Sequence, residues 1–157
     1  MYLSIDPGLK GGAVLIDRDG DILSSSLFER GKKDFFDLVY TNKNLIEFII
    51  IENVRGYAGE NVKSIFTFGK EVGQVEGILI SCGFKIDDLI RIEPRTWVSF
   101  FKDVWECKGK QKSCKAIKRL FNGREGFDKI SRYDALSDAY LIYYYWIKTR
   151  AINRTRK

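Results

Sequence analysis

Short apolar runs alternate with turn residues over the first part of the chain. The runs are residues 2–5, 13–16 and 22–28. Pro7-Gly8 and Gly11-Gly12 separate the first two runs, and Asp19-Gly20-Asp21 separates the second from the third. Glycine, proline and aspartate at such positions are strong turn signals between strands. The pattern predicts three consecutive antiparallel strands, with Asp6 at the end of the first.

Asp6 admits two interpretations on this pattern. Aspartate before Pro-Gly is common in turns, where its side chain bonds to nearby backbone. A carboxylate at the edge of a sheet, beside glycines that let a phosphate come close, is also suited to ligating a metal ion. The hairpin by itself favours neither.

The next pattern predicts a short helix at 32–45 and then a buried strand. Residues 46–51 are almost continuously apolar and rich in β-branched side chains, which is typical of a strand covered on both faces. Glu52 follows directly, at the rim where parallel and mixed sheets usually place their sites. Glu52 is predicted to face Asp6 if strands one and four are neighbours. The alternative is a surface residue at a strand end.

Residues 61–82 have apolar positions at helical intervals and predict a long helix, with a fifth short strand following at 86–92. Gly69, Gly73 and Gly77 are spaced four apart and lie on one face of that helix. Each costs a helix roughly 1 kcal/mol relative to alanine, so another element is expected to approach closely. Packing against the protein's own sheet is slightly favoured over contact with an identical helix of a second copy.

The densest positive charge lies in residues 102–119, which predict a loop followed by a basic amphipathic helix. Its cations are Lys102, Lys108, Lys110, Lys112, Lys115, Lys118 and Arg119. They stand against only Asp103 and Glu106. Such a run usually forms a solvated helix face, but this excess of positive charge favours contacts to nucleic-acid phosphates.

The end of the chain predicts a loop at 122–130, a mostly buried aromatic helix at 131–147 and a frayed basic tail at about 148–157. Asp134 and Asp138 are four residues apart on this helix and project from the same side. Asp134 is also explained as a helix-dipole residue of the first turn. Asp138 lies in an apolar stretch, where a structural role explains an acid less well.

Composition narrows the chemistry further. The chain has no histidine, which excludes Ser-His-Asp and Cys-His catalysis and histidine-ligated zinc. Cys82, Cys107 and Cys114 lack zinc-finger spacing, so reduced thiols are expected. The net charge of +6 and the pI near 9.2 favour a polyanionic partner, either nucleic acid or an acidic membrane surface.

Size and apolar content predict one domain over residues 1–157, since 45% of the 157 residues are hydrophobic. No apolar run reaches membrane-spanning length, and the first strand begins at once without a segment resembling an export signal. We therefore expect a cytoplasmic protein that is neither secreted nor inserted in a membrane.

Four acids stand out for independent reasons: Asp6, Glu52, Asp134 and Asp138. Brought together, they form a negative pocket that needs cations to be tolerated, and ligation by oxygen alone selects Mg²⁺ or Mn²⁺. Two such ions would activate a water molecule and stabilise the leaving oxygen of a phosphodiester. The sequence thus favours metal-assisted hydrolysis of a nucleic acid.

With these residues, the chain resembles the RuvC-like Holliday junction resolvases of the RNase H-like superfamily, particularly the short forms found in phages. Four motifs in order carry the resemblance: Tyr2-Leu3-Ser4-Ile5-Asp6-Pro7-Gly8, Ile50-Ile51-Glu52-Asn53-Val54, Ser64-Ile65-Phe66-Thr67-Phe68-Gly69 with Gly73 and Gly77, and Asp134-Ala135-Leu136-Ser137-Asp138-Ala139. The resemblance implies an α/β, RNase H-like fold. Its central five-stranded mixed sheet has strands 1–3 antiparallel and the rest parallel, and helices flank it.

The resemblance also implies a function. A homodimer would bind four-way DNA junctions and nick two opposing strands symmetrically, with Mg²⁺, or Mn²⁺ in its place, as two ions per subunit. The implied metal ligands are Asp6, Glu52, Asp134 and Asp138, and Lys112 falls near a family lysine beside the scissile phosphate. The predicted DNA-binding residues are Lys10, Arg55, Tyr57, Lys63, Lys108, Lys110 and Lys115. The work would be done at the nucleoid or at a viral replication site.

Three other functions compete with this one. A nuclease of the same fold would cut RNA or other branched DNA such as flaps and forks. A non-catalytic junction-binding protein would need the basic surface but not the acids. Asp6-Pro7-Gly8 followed by Gly11-Gly12 also resembles the phosphate turn of sugar-kinase and actin-like ATPases, but those need two such domains and a second glycine-rich motif, which we do not expect in this length.

Overall fold

The computed structural model describes residues 1–29, 31–53, 61–105 and 111–155, with side chains up to residue 151. The strands are β1 (Tyr2–Asp6), β2 (Gly12–Ile16), β3 (Ile22–Leu27), β4 (Phe48–Glu52) and β5 (Ile90–Ile92). The helices are α1 (Lys33–Asn42), α2 (Val62–Ser81), α3 (Pro94–Phe100), α4 (Lys112–Leu120), α5 (Phe127–Ile130) and α6 (Asp134–Thr155), with a 3-10 turn at Ile86–Asp88.

The five strands form one mixed sheet in the order β3-β2-β1-β4-β5. The β1–β2 and β2–β3 pairs are antiparallel, whereas β1–β4 and β4–β5 are parallel. Ile5 pairs with Ile51, so Asp6 and Glu52 end neighbouring parallel strands at the same edge of the sheet. The predicted fold class is confirmed. Strands one and four are neighbours, which is the condition on which Glu52 was expected to face Asp6.

Apolar clusters cover both faces of the sheet. Ile49 and Ile51 of β4 belong to the cluster that includes side chains of α1 and α2. Ile50 belongs to the cluster formed with α3, α4 and α6. Burial of alternate residues on opposite faces explains why this strand reads as a continuous apolar run.

Several predicted boundaries are corrected. The fourth strand begins at Phe48 and includes Glu52, and the predicted strand at 86–92 divides into the 3-10 turn and β5. The predicted loop at 122–130 contains α5, which begins after Gly126 in the left-handed conformation at φ 84°. The segment after Glu93 forms α3, with Pro94 in its first turn.

The predicted fraying of the tail is wrong for residues 148–155, which continue α6, while 156–157 lie outside the described residues. Arg150 in this extension contacts two aromatic rings. The Arg150 guanidinium lies 5.1 Å from the centre of the Phe48 ring and 4.9 Å from that of Trp146. Cation–π contacts of this kind favour an ordered last segment. No described helix has a stretch long and apolar enough to cross a bilayer.

The glycine stripe of α2 faces outward. A Cβ atom added to Gly69, Gly73 or Gly77 would meet nothing within 4 Å. The helix instead turns Glu71, Val75 and Leu79 inward. The expectation that the glycines pack on the protein's own sheet is therefore wrong, because the buried stripe lies on another side of the helix.

The two cysteines that the structure describes, Cys82 and Cys114, are buried free thiols. This agrees with the prediction of reduced cysteines for both. Cys107 lies outside the described residues.

Candidate active site

Three of the predicted acids gather at one edge of the sheet. Asp6 ends β1 and Glu52 ends β4, while Asp138 lies on the second turn of α6, which packs across β1, β2 and β4. Electrostatic repulsion acts between Asp6 and Glu52, between Glu52 and Asp138, and between Asp138 and Asp6. The fold thus brings together carboxylates that are 46 and 86 positions apart in the sequence, counting from 6 to 52 and from 52 to 138.

Burial dominates the electrostatics of these three acids. It raises the pKa of Asp6 to about 7, with a further increase from the charge of Glu52. It also raises the pKa of Glu52 and of Asp138 to about 7 each, and neighbouring carboxylates add to the increase. Three acids that resist ionisation in this way form a site that a cation would stabilise.

Each of the three acids has one oxygen held by a donor. Asp6 Oδ1 accepts from the backbone N–H of Gly8 at 3.3 Å, and Glu52 Oε1 accepts from the indole N–H of Trp97 at 2.8 Å. Asp138 Oδ1 accepts from the Ser113 hydroxyl. The second oxygen of each accepts no hydrogen bond from a described residue. One oxygen of each carboxylate therefore fixes its orientation, and the other is free to bind a ligand.

Asp134 differs from the other three acids. It is exposed, and both of its oxygens accept hydrogen bonds from the start of α4. The Cys114 thiol donates to Oδ1 at 3.2 Å, and the backbone N–H of Gln111 donates to Oδ2 at 3.2 Å. Burial, with a further increase from the nearby carboxylates, raises the pKa of Cys114 to about 11, so the thiol keeps its proton. Asp134 thus connects α6 to α4.

Lys112 lies near two of the acids. Its positive charge acts to lower the pKa of both Glu52 and Asp138, against the larger effect of burial. Its Nζ atom lies 5.0 Å from the centre of the Trp105 ring. A half-buried lysine here places one positive charge next to the carboxylates.

Solved structures with a similar fold share this arrangement of strands and helices. No protein-family model matches the chain, and no curated protein matches it. The structure is similar to that of Thermus thermophilus RuvC in complex with a Holliday junction substrate, with a TM-score of 0.54, 15% identity, and coverage of 90% of this chain and 88% of that one. It is also similar to Thermus thermophilus RuvC, with a TM-score of 0.51, 16% identity, and coverage of 94% and 95%. The yeast mitochondrial Holliday junction resolvase Ydc2 gives a TM-score of 0.57, 16% identity, and coverage of 96% and 78%.

The chain has the RuvC-like fold. The first and second acidic motifs of the sequence end β1 and β4 of this fold, and the closing acidic motif begins α6. At this level of identity the likeness establishes the fold alone.

On the RuvC-like fold, the described members of the predicted DNA-binding set are exposed. Lys10 lies in the β1–β2 turn, Lys63 in the first turn of α2, and Lys115 on α4. Leu9 and Lys63 line a common groove of about 340 Å³, so the β1–β2 turn and α2 lie side by side. The other predicted members, Arg55, Tyr57, Lys108 and Lys110, lie outside the described residues.

Sequence reasoning missed the donors that hold the acids: Trp97, Gln111, Ser113 and Cys114. Ser113 and Cys114 are buried on the inner face of α4, beside Ala116 and Ile117. Polar residues on the inner face of an amphipathic helix need hydrogen-bond partners, and that is the signal from which they were predictable. The partner of Trp97 was not predictable, because it depends on how α3 packs against β4.

The donor chemistry of the site fits a hard divalent cation. Three half-buried carboxylates with a free oxygen each are ligands that Mg²⁺ and Mn²⁺ prefer. Within the part of the chain that the structure describes, however, no three acid or cysteine side chains lie close enough to enclose one ion. Mg²⁺ commonly takes only one or two protein carboxylates and completes its shell with water and substrate phosphates. The residues fit such an open site, and a closed cage of four acids is not present.

Proposed function

We propose that this protein is a metal-dependent endonuclease that resolves four-way DNA junctions by nicking opposing strands symmetrically. The observation that carries the proposal is the set of three half-buried carboxylates, each with one free oxygen, beside the basic helix α4. The RuvC-like fold supports it, since the similar structures include a RuvC bound to a Holliday junction substrate and a Holliday junction resolvase.

Asp6, Glu52 and Asp138, with Asp134 as the fourth acid, would hold two ions per subunit, each ion taking one or two of these carboxylates. Mg²⁺ or Mn²⁺ supplies Lewis-acid chemistry for phosphodiester hydrolysis when bound. The protein's contribution is to keep the carboxylates oriented, through the hydrogen bonds from Gly8, Trp97 and Ser113.

Lys112 would bind a phosphate next to the acids. Its charge already acts on Glu52 and Asp138, so an anionic phosphate placed between lysine and cation is stabilised from both sides. The exposed Lys10, Lys63 and Lys115 are suited to contacts with the DNA backbone on either side. Such contacts make binding salt-dependent.

A homodimer belongs to this proposal, because symmetric nicking of a junction needs two active sites related by a two-fold axis. The outer face of α2 suits the contact with a second copy. Its exposed residues at helical spacing are Val62, Phe66, Gly69, Gly73, Gly77 and Ile80. Phe66 is 75% exposed and Val62 is 81% exposed. Glycines in such a stripe let two helices approach closely.

A second candidate is a non-catalytic junction-binding protein. The spacing of the acids favours it, since no three acid or cysteine side chains of the described residues lie close enough to enclose an ion. It predicts junction binding that persists without the acids and is indifferent to divalent ions.

One experiment separates the candidates. The purified protein is incubated with Mg²⁺ or Mn²⁺ and a mobile four-way junction, with flaps, forks and an RNA–DNA hybrid as competing substrates. Paired nicks in opposing strands of the junction are expected, and Asp6→Asn is expected to abolish them without abolishing junction binding. Junction binding with no nicking in either ion supports the non-catalytic candidate. Preferred cutting of another substrate supports a different nuclease of the same fold.

A further inference from the structure

We propose that the first turn of α4 positions the two aspartates of α6 for cation binding, and that Ser113 is the positioning residue for Asp138. The inference rests on the proposed function but concerns residues that neither the sequence motifs nor the fold assigns. The donors to Asp134 and Asp138 are the backbone of Gln111 and the side chains of Ser113 and Cys114.

Ser113 is placed to orient Asp138. Its side chain is buried, and its hydroxyl donates to Asp138 Oδ1. A buried serine with one strong acceptor keeps a single orientation, and so does the carboxylate it holds. Asp138 Oδ2 accepts no hydrogen bond from a described residue. Ser113 thus decides which oxygen of Asp138 remains available to a cation.

Gln111, the residue directly before α4, is held in an unusual backbone conformation. Gln111 has φ 65° and is the only non-glycine residue with positive φ in the described part of the chain. In this conformation its N–H donates to Asp134 Oδ2 at 3.2 Å. Left-handed backbone is unfavourable for a residue with a Cβ atom, and where it persists the surroundings over-determine it. The hydrogen bond to Asp134 helps to offset the unfavourable backbone conformation of Gln111.

The rest of α4 provides a rigid base for this turn. Ile117 is fully buried and Ala116 is 1% exposed, both in the cluster that includes Leu136 and Ala139 of α6. The donors to Asp134 and Asp138 therefore stand on a helix that is packed against the helix carrying the acids. Sites supported by packed helices hold their geometry more precisely than sites on loops.

The same turn also carries the basic group of the site. Lys112 stands between Gln111 and Ser113, next to Glu52 and Asp138, and Lys115 is exposed one turn later. One short stretch of α4 therefore positions carboxylates through its inner side and meets DNA phosphates through its outer side.

Removing a donor to a ligand carboxylate typically lowers metal affinity by about 10- to 100-fold. For Ser113→Ala we expect a Mn²⁺ affinity at least about tenfold weaker. Ser113→Thr keeps the hydroxyl and is expected to restore most of the affinity. The matched control is Ser81→Ala, since the Ser81 hydroxyl donates only to the Ile78 carbonyl on α2.

Two measurements on the full chain test the inference. The first is the dissociation constant for Mn²⁺ without DNA, obtained from the free Mn²⁺ concentration that electron paramagnetic resonance measures during a titration. The second is the Mn²⁺ concentration that gives half-maximal junction cleavage. Ser113→Ala is expected to raise both values about tenfold or more while its affinity for the junction stays unchanged, and circular dichroism checks that each variant is folded.

Wild-type Mn²⁺ affinity in a folded Ser113→Ala variant overturns the inference and leaves the proposed function standing. A wild-type chain that binds no Mn²⁺ and cuts no junction overturns both. Should Ser113→Ala not fold, Cys114→Ala serves in its place, since it removes the thiol donor to Asp134 Oδ1 from the same turn. The same rise in both values is expected for Cys114→Ala, and unchanged values overturn the inference.

Discussion

Trp97 donates its indole N–H to Glu52 Oε1 over 2.8 Å, so a helix that the sequence did not predict holds an acid that it did. The hydrogen bond acts to lower the pKa of Glu52, against the larger effect of burial. The indole is 3% exposed and also packs edge-on against Trp105. The indole N–H of Trp97 therefore orients Glu52, while its ring packs in the apolar core.

For Trp97→Phe we therefore expect the fold to be kept and the site to be perturbed. Phenylalanine keeps an aromatic ring at this position, but the donor to Glu52 is lost. The pKa of Glu52 should rise above its value of about 7. Carboxylate-resolved NMR titration of the metal-free protein measures this shift. A pKa of Glu52 that stays unchanged or falls in Trp97→Phe contradicts the assigned hydrogen bond.

Asp6→Asn should stabilise the metal-free protein at alkaline pH. The pKa of Asp6 is raised to about 7 in the folded state, against about 3.9 in an unfolded chain. A raised carboxyl pKa gives stability that is fully present below the unfolded value and is lost as pH rises through the folded one. Asparagine does not titrate, so at pH about 8 the variant should gain about 1 kcal/mol or more over wild type, or roughly 2–4 °C in Tm per kcal/mol.

Thermal unfolding in a chelator, at pH about 4 and about 8, measures this difference. The gain should vanish at the lower pH, where the wild-type carboxyl is protonated. Added Mg²⁺ should raise the Tm of wild type at the higher pH but leave Asp6→Asn nearly unchanged, because only the folded wild-type site binds the ion. An equal effect of Mg²⁺ on both proteins would argue against a cation at Asp6.

Phe66→Glu should weaken self-association. Phe66 is 75% exposed on the outer face of α2 and flanks Gly69 and Gly73 of the glycine stripe. A carboxylate there would be placed next to its symmetry mate in a dimer, and burying such a pair is unfavourable. Sedimentation velocity over a concentration series should show dimers in wild type and monomers in the variant.

Leu23→Glu is the matched control for the dimer contact. Leu23 is a 47% exposed apolar residue on β3, at the far edge of the sheet. It should leave the association of wild type unchanged. A wild-type protein that is monomeric at every concentration would remove the dimer from the proposal.

Glu71→Ala should destabilise the fold strongly. Glu71 of α2 pairs with Lys32, and each side chain is only 10% exposed. Removing one partner of a buried pair leaves an uncompensated charge and typically costs about 3–5 kcal/mol. Asp37→Ala is the control, because the Lys33–Asp37 pair has side chains 85% and 51% exposed and should cost at most ~0.5 kcal/mol. Urea unfolding of the two variants measures both costs, and equal values would contradict the prediction.

The local pattern of the chain was sufficient for most of its elements. Turn residues between short apolar runs predicted β1, β2 and β3, and the continuous apolar run predicted β4, because backbone preference and burial act within a few residues. Helix ends were less certain. The last helix continues to Thr155, and its Arg150 guanidinium lies over the rings of Trp146 and of Phe48, which is distant in sequence.

Local sequence pattern was sufficient to place Asp6 and Glu52 at the ends of strands and Asp134 and Asp138 on one side of a helix. The packing of distant elements set the rest of the site. It left Asp134 exposed and hydrogen-bonded to the start of α4, gave the three half-buried acids their donors, and turned the glycines of α2 outward. The physical reason is that a side chain's hydrogen-bond partners and burial depend on which elements pack against it, and those elements come from distant parts of the chain.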